Sequence, residues 1–307
     1  MALDGTLIKE GLRAGIHKGL HGFVWIMKIL IPVSLFTALL AWTGWLQHLN
    51  FLLEPAMHIL SLPAMATLPL LIGMLTGIYG GIAAMSVLPF SQDQMTLMAI
   101  FLLIAHNLIA EGTVQAKSGI HPLKATIFRV VAAVLTVIAV APFFEMSSTS
   151  GKAVTSTEMS PPVVQALQEW GFSTLGLSVK IFVIIMFIMT LLEILKTFDL
   201  IPPMVKALNP FLRLMGLNQK VGFLWLTAVI FGVAYGGAVI VEEAKAGHLT
   251  KEELEELHLS IGINHALVED PSLFLSLGLS PFWLWIPRII TAVLAERLLT
   301  LWRAFRS

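Results

Sequence analysis

Cysteine is absent from the 307 residues of this chain. A disulfide framework, a thiolate zinc site, an iron–sulfur cluster and a cysteine nucleophile are therefore excluded. Charged side chains are also scarce, at 12%, and the formal net charge of zero gives no sign of a nucleic-acid partner. The sequence contains no Ser-His-Asp arrangement, phosphate-binding loop or dinucleotide fingerprint. We therefore expect neither an enzyme nor a bound cofactor.

Apolar residues dominate what is present. They make up 57% of the chain, and the mean hydropathy is +0.85. A water-soluble fold cannot bury that much apolar surface, so we expect an all-α integral membrane protein with lipid as its surroundings. Residues 1–22 carry Lys9, Arg13 and Lys18 on an amphipathic pattern without a continuous apolar core or a cleavage site. This pattern predicts a helix that lies on the membrane surface.

Membrane-spanning segments are predicted from the long apolar stretches, because a crossing takes roughly 20 helical residues. Two further stretches contain glycine-rich sequence near their middle, which loosens or breaks a helix. These two are residues 62–90 and 218–241. The six predicted crossings are residues 23–46, 95–111, 122–144, 176–195, 255–270 and 280–302.

The chain contains an internal repeat. Five residues recur 159 positions later: His106, Glu111, Gly119, Pro122 and Arg129 match His265, Asp270, Gly278, Pro281 and Arg288. The two tyrosines of the chain, Tyr79 and Tyr235, each begin a Tyr-Gly-Gly triplet. We therefore predict one repeat over 23–145 and a second over 176–307, joined by a polar linker over 146–175.

The placement of positive charge indicates how the glycine-rich stretches meet the membrane. If each enters and leaves on the same side as a re-entrant hairpin, fourteen of the nineteen Lys and Arg residues lie on the cytoplasmic side. This satisfies the positive-inside rule, whereas two full crossings violate it. Each half then has three crossings and one hairpin, so the second half is inverted relative to the first. The N- and C-termini are expected in the cytoplasm, in a multi-pass protein of the inner cell membrane.

The Tyr-Gly-Gly triplets are the first candidate binding residues. Backbone that is not helical at membrane depth must be buried in protein or line a cavity. The triplets therefore predict two turns that contact a substrate, through backbone amides and tyrosine hydroxyls. The alternative is that the glycines only allow close helix packing. The candidate residues are Tyr79, Gly80, Gly81, Tyr235, Gly236 and Gly237.

The second candidate group is polar residues within apolar helices. Asn107 and Glu111, like His265 and Glu269, stand four positions apart, and we expect each pair to share a helix face. Ionisable groups inside a membrane are costly and usually mark a substrate or ion path. The alternative is that histidine and carboxylate satisfy each other as structural contacts. The complete group is His106, Asn107, Glu111, Asn264, His265, Glu269 and Asp270.

A metal site is an alternative interpretation of the same residues, because imidazole and carboxylate bind iron, zinc or manganese. The spacing does not establish it. The candidate ligands are His106, Glu111, His265, Glu269 and Asp270.

Two segments with these motifs, Gly73–Arg129 and Val221–Arg288, resemble the gate or nucleoside-recognition domain. That domain is shared by concentrative nucleoside transporters, ferrous-iron permease membrane domains and spore maturation membrane proteins. The resemblance implies that the hairpins and the broken helices after them hold the ligand.

Three functions remain open on the sequence. The first is a secondary transporter that moves a small polar solute, nucleoside-like by resemblance, with alternating access and a proton or sodium ion as the coupling partner. The second is a divalent-metal permease of the ferrous-iron type, and the third is a membrane scaffold that does not transport. The expected partners are a small-molecule or ion substrate and lipid, and a homo-oligomer is compatible with the sequence.

Overall fold

The computed structural model describes residues 5–45, 54–144, 162–214 and 219–305. All regular structure in these ranges is helical, as predicted. Four segments are long and apolar enough to cross a membrane: Thr6–Trp42, Gln92–Lys117, Pro122–Phe143 and Val163–Thr197. The chain is an all-α integral membrane protein.

The first half contains seven helices in its described residues. A long first helix is followed by a short helix, a pair of helices joined at a glycine, a second pair broken at a histidine, and a last crossing. These are α1 (Gly5–Trp42), α2 (54–59), α3 (Thr67–Thr76), α4 (Ile78–Met85), α5 (Gln92–Ala105), α6 (Leu108–Lys117) and α7 (Pro122–Val140).

The second half repeats this order. Its hairpin forms one nearly continuous element that is interrupted at Gly232. Its helices are α8 (Val163–Thr197), α9 (Ile201–Leu214), α10 (Gln219–Lys245), α11 (Lys251–Asn264), α12 (Glu269–Phe274) and α13 (Pro281–Ala304).

Both predicted hairpins reverse direction, and a glycine makes each turn. Gly77 has φ 96° and ψ 175°, and Gly232 has φ 73° and ψ 178°. A Cβ on Gly81 would lie 3.5 Å from Gly73 Cα, and one on Gly236 would lie 2.5 Å from Ala228 Cα. Residues eight apart on a straight helix are separated by about 12 Å, so the chain must fold back at both glycines.

The two halves are inverted relative to each other. Helices α1 and α8, the first helix of each half, pack side by side in opposite directions. Lys18 Nζ lies 2.5 Å from Glu193 Oε1 near one end of the pair, and Trp170 donates to Ser34 Oγ over 3.1 Å toward the other. Since equivalent helices run antiparallel, the halves face opposite ways, as the sequence predicted.

Glycines on α1 make the α1–α8 contact close. A Cβ on Gly15 would lie 2.5 Å from Thr190 Cα, and a Cβ on Gly19 would lie 2.7 Å from Met186 Sδ. Helices in lipid usually associate through small residues that let their backbones approach, because apolar side chains gain no free energy by moving from lipid to a helix interface.

Two predicted boundaries were wrong. No helix boundary exists at residue 22, because α1 is one helix of 38 residues, about 57 Å long, which includes residues 5–22 of the predicted surface segment. The linker does not extend to residue 175, because α8 begins at Val163. The predicted crossings 95–111 and 255–270 are each split into two helices at a histidine. The polar run 146–160 lies outside the described residues.

Candidate functional site

Both broken helices end at the histidines of the repeat. Helix α5 ends at Ala105, and the backbone is extended at His106 (ψ 167°) and left-handed at Asn107 (φ 51°). Helix α11 ends at Asn264, and the same sequence of conformations follows at His265 (ψ 158°) and Ala266 (φ 46°). A left-handed backbone is uncommon for residues other than glycine, so its recurrence at equivalent positions marks a feature of the fold.

The hairpins satisfy the backbone that the breaks expose. The Asn107 N–H donates to the Gly73 carbonyl over 3.1 Å, and the Ala266 N–H donates to the Ala228 carbonyl over 3.1 Å. An amide freed at membrane depth must find a partner within the protein. Each hairpin therefore supports the helix break of its own half.

Two buried arginines satisfy the carbonyls at the broken ends. Arg129 donates through Nε to Ile104 O over 2.9 Å and through Nη2 to His106 O over 3.0 Å. Arg288 makes the same two bonds, to Ile263 O and His265 O. Both side chains are at most 2% exposed. The last carbonyls of each broken helix thus have a cationic partner, which their own helix cannot supply.

The two histidines meet where the halves join. His106 Nε2 lies 3.1 Å from His265 Nε2, and the Nδ1 atoms lie 2.7 and 2.9 Å from the carbonyls of Leu102 and Ile261. A carbonyl only accepts, so each Nδ1 must carry a hydrogen. In the neutral rings both Nε2 atoms are then acceptors, and their lone pairs face each other.

Two carboxylates complete this central cluster, and each reaches toward the other half. Glu111 Oε1 lies 3.2 Å from His265 Nε2, while Asp270 Oδ2 lies 3.4 Å from His106 Nε2. Glu111 Oε2 forms an ion pair with Arg129 Nη1 at 2.7 Å. Glu111 Oε1 and Asp270 Oδ2 have no hydrogen-bond partner among the described residues.

A second contact between the halves lies beside the central cluster. The Tyr79 hydroxyl, on α4, donates to Glu269 Oε1 on α12 over 2.7 Å. The tyrosine ring also packs edge-on against Trp25 of α1, with ring centroids 5.3 Å apart. The first hairpin is thereby joined to the broken helix of the second half.

The structure brings together most of the predicted polar group. His106, Glu111, His265 and Asp270 form the central cluster, and three of them, His106, His265 and Asp270, place ligand atoms within 4.8 Å of one another. The expected shared face of His265 and Glu269 was wrong, because the chain is not helical between them. Asn107 caps α6 without a side-chain bond, and the buried Asn264 side chain has no partner among the described residues.

The Tyr-Gly-Gly triplets do not form the turns. They lie in the returning helices, after Gly77 and Gly232. A Cβ on Gly80 would lie 2.2 Å from Thr76 Oγ1, and one on Gly81 would lie 2.5 Å from Leu102 Cδ1. These glycines therefore allow close packing, which was the alternative interpretation. Gly237 is buried in α10, and the Tyr235 side chain lies outside the described residues.

Sequence reasoning noted Arg129 and Arg288 only as markers of the repeat and did not place them in the site. A signal for their role was present. Both are cations within predicted crossings, at the same spacing of 23 residues after a histidine, and an ionisable group at membrane depth needs a specific partner.

The chain is similar to an uncharacterized membrane protein, YvoD, of Bacillus subtilis (strain 168). The two are 27% identical over 294 residues, which cover 94% of this chain and 93% of that protein. No family model matches the chain. No solved structure matches it either. The comparison supports a membrane protein, and the resemblance to the gate domain stays a prediction.

Proposed function

We propose that this chain is a secondary transporter, and not an enzyme, that carries a small polar solute across the membrane by alternating access. The observation that carries the proposal is the contact of His106 with His265, 3.1 Å apart, at which two inverted halves each contribute one broken helix to a single buried polar site. Inverted repeats with discontinuous helices around a midplane site are the plan of many secondary transporters.

The burial of charge favours transport over a scaffold. Glu111, Arg129, Asp270 and Arg288 are all at most 5% exposed. In a scaffold, apolar packing would stabilise the same region at a lower cost than ionisable groups at membrane depth do. Such groups are retained where a solute or ion must be bound, so the site is the feature that a transport function explains.

The geometry also bears on the size of the solute. The two imidazole rings are in contact, and a nucleoside-sized ligand needs a pocket of about 300 Å³ or more. An ion fits among the side chains with little rearrangement, which favours the divalent-metal permease as the more specific form of the proposal. The coupling ion would be a proton or a sodium ion. Glu269, which accepts a hydrogen bond from Tyr79, would lie beside the path of that ion.

The proposed orientation places both termini in the cytoplasm of a bacterial-type inner membrane. It follows from the positive-inside rule applied to the charges of the sequence. In this orientation the first hairpin enters from outside and the second from the cytoplasm, so that each supports the helix break nearest to it.

Cysteine accessibility tests the proposal without knowledge of the solute, because the chain has no cysteine of its own. Leu108 and Leu267 each lie two residues after the histidine of their half, and both are half-buried. Leu108→Cys and Leu267→Cys proteins would be reconstituted and treated with a membrane-impermeant maleimide from either face. Alternating access predicts that both cysteines react from both faces.

Leu135→Cys is the matched control. Leu135 is 60% exposed on α7, away from the site, and faces lipid in the proposed arrangement. Its cysteine should resist the impermeant reagent from both faces. If Leu108→Cys and Leu267→Cys react from one face only, or from neither, the transporter proposal is refuted and the scaffold interpretation is favoured.

A further inference from the structure

Four hydrogen-bond acceptors lie close together in the central cluster, and three of them, from His106, His265 and Asp270, are within 4.8 Å of one another. The four are His106 Nε2, His265 Nε2, Glu111 Oε1 and Asp270 Oδ2. Glu111 Oε1 lies 3.8 Å from His106 Nε2, and Asp270 Oδ2 lies 3.9 Å from His265 Nε2, so each carboxylate is near both rings. Both carboxylate oxygens lack a hydrogen-bond partner within the described parts of the chain. In the described structure these acceptors therefore face one another without a donor between them.

A single proton cannot satisfy all four acceptors. A single proton on one Nε2 forms one hydrogen bond, either to the other ring or to one carboxylate. The remaining acceptors stay unpaired in a buried site, which native proteins rarely tolerate. A metal ion accepts electron pairs from several ligands at once, so one ion satisfies several of these acceptors together.

The donor set indicates which kind of ion. Two imidazole nitrogens with carboxylate oxygens suit Mn²⁺, Fe²⁺, Co²⁺, Ni²⁺ and Zn²⁺, whereas Mg²⁺ and Ca²⁺ prefer oxygen ligands alone. Tetrahedral bonds of about 2.05 Å to nitrogen put the two nitrogens about 3.3 Å apart. The observed separation of 3.1 Å between His106 Nε2 and His265 Nε2 is close to this value.

The surrounding contacts are those that orient metal ligands. Each histidine donates its Nδ1 hydrogen to a backbone carbonyl, at Leu102 and at Ile261, which fixes the ring and leaves Nε2 free to coordinate. Arg129 holds one oxygen of Glu111 and directs the other toward the rings.

We propose that this site binds a divalent first-row transition metal ion, with His106, His265 and Asp270 as ligands and Glu111 as the fourth. The inference names the solute of the proposed transporter and so rests on that function. The ligands come from both halves, which means that the ion can be released only when the halves separate at the histidines.

Metal binding by the purified full chain tests this inference. The metal-free protein in detergent would be titrated with Zn²⁺ by calorimetry and with Co²⁺ by visible absorption, and bound metal would be counted by mass spectrometry. The expected result is one ion per chain. Asp270→Asn, which keeps the side-chain shape, should abolish measurable binding, and His106→Ala should do the same. Arg129→Lys should weaken binding by about 10- to 100-fold, because it disturbs the partner of a ligand.

The control is the histidine pair on the exposed face of α1. His17 and His21 lie one helical turn apart, both exposed, and form the kind of surface pair that captures metal adventitiously. The His17→Ala/His21→Ala protein should still bind one ion. The inference is overturned if the unmodified chain binds no metal, or if only the α1 variant removes it.

The metal-binding test and the cysteine test distinguish failure of the metal site from failure of the transport function. Metal binding together with cysteines that react from one face only, or from neither, upholds the metal site and refutes transport. Cysteines that react from both faces without metal binding uphold transport and refute the metal as its solute. A monodisperse Asp270→Asn protein with unchanged helix content excludes misfolding as the cause of lost binding.

Discussion

Replacement of Arg129 tests how much its ion pair with Glu111 stabilises the protein, beyond its hydrogen bonds to backbone carbonyls. Arg129 bonds two carbonyls and the Glu111 carboxylate, and it is 2% exposed. Arg288 bonds two carbonyls in the same way, but its Nη1 has no hydrogen-bond partner within the described ranges. Arg129→Met and Arg288→Met are therefore matched changes that differ in one ion pair.

The structure sets the size of each effect. An acceptor left buried without its donor costs about 1–3 kcal/mol, and both variants leave two such carbonyls. Breaking a buried ion pair by removing one partner costs about 3–5 kcal/mol, and only Arg129→Met does so. We therefore expect Arg129→Met to lower the free energy of unfolding by more than Arg288→Met does. Adding Glu111→Gln to Arg129→Met removes the unpaired charge and should restore several kcal/mol.

The measurement is reversible unfolding in mixed micelles, followed by far-UV circular dichroism. The unmodified protein, Arg129→Met, Glu111→Gln and the combined variant form a double-mutant cycle, which isolates the coupling between the two side chains. A coupling near zero would mean that Arg129 and Glu111 are not paired in the folded protein. Equal losses for the two arginine variants would likewise refute the assignment of the ion pair to one half.

Two further changes are tested by the same unfolding measurement. Gly77→Ala should destabilise the protein by about 1–3 kcal/mol, because φ 96° with ψ 175° is a conformation that almost only glycine adopts. The nearest atom to an added Cβ is 3.8 Å away, so backbone strain and not a clash is responsible. Gly176→Ala, in open space on α8, is the control and should not destabilise the protein, and equal stability of the two variants would contradict the turn at Gly77. Tyr79→Phe should cost about 1.5–3 kcal/mol through loss of the 2.7 Å bond to Glu269, and an unchanged free energy of unfolding would show that this contact between the halves carries no weight.

The repeat was the part of the fold that the sequence predicted best. Five residues at one spacing located the histidines, carboxylates and arginines that meet in the structure, and the rule that positive charge stays inside predicted both hairpins. These signals are strong because charged residues are rare in this chain, at 12%. Each one must have a reason for its place in lipid, so its position is informative.

The position of the turns could not be read from the Tyr-Gly-Gly triplets. The turning glycines, Gly77 and Gly232, are 155 positions apart, whereas Tyr79 and Tyr235 are 156 positions apart. Tyr235 therefore occupies the place of Gly80, which on a helix is a rotation of about 100°. A matched triplet thus conceals a shift of one residue, and only the backbone angles reveal it.

The resemblance implied broken helices, but the residues at which they break could not be located, for a different reason. Neither His106 nor His265 is followed by a glycine or a proline, the residues that usually interrupt a helix. The breaks depend on distant partners: a hairpin carbonyl for the exposed amide, and an arginine 23 residues later for the exposed carbonyls. Local sequence carries no trace of such contacts, so it could not show that each break falls at the histidine.

One substitution makes the two half-sites unequal although their backbones match. Glu111 is longer than its counterpart Asp270 by one methylene, and it reaches both Arg129, at 2.7 Å, and His265, at 3.2 Å. Each carboxylate keeps one oxygen without a hydrogen-bond partner in the described structure, but Asp270 lacks the counterpart of the Arg129 ion pair, since the Nη1 of Arg288 has no partner there. The first half therefore holds its carboxylate in place, and the second half leaves its carboxylate available to a ligand. If the halves exchange conformations as proposed, the two open states then differ in energy, because the carboxylate that is fixed by an ion pair belongs to one half alone.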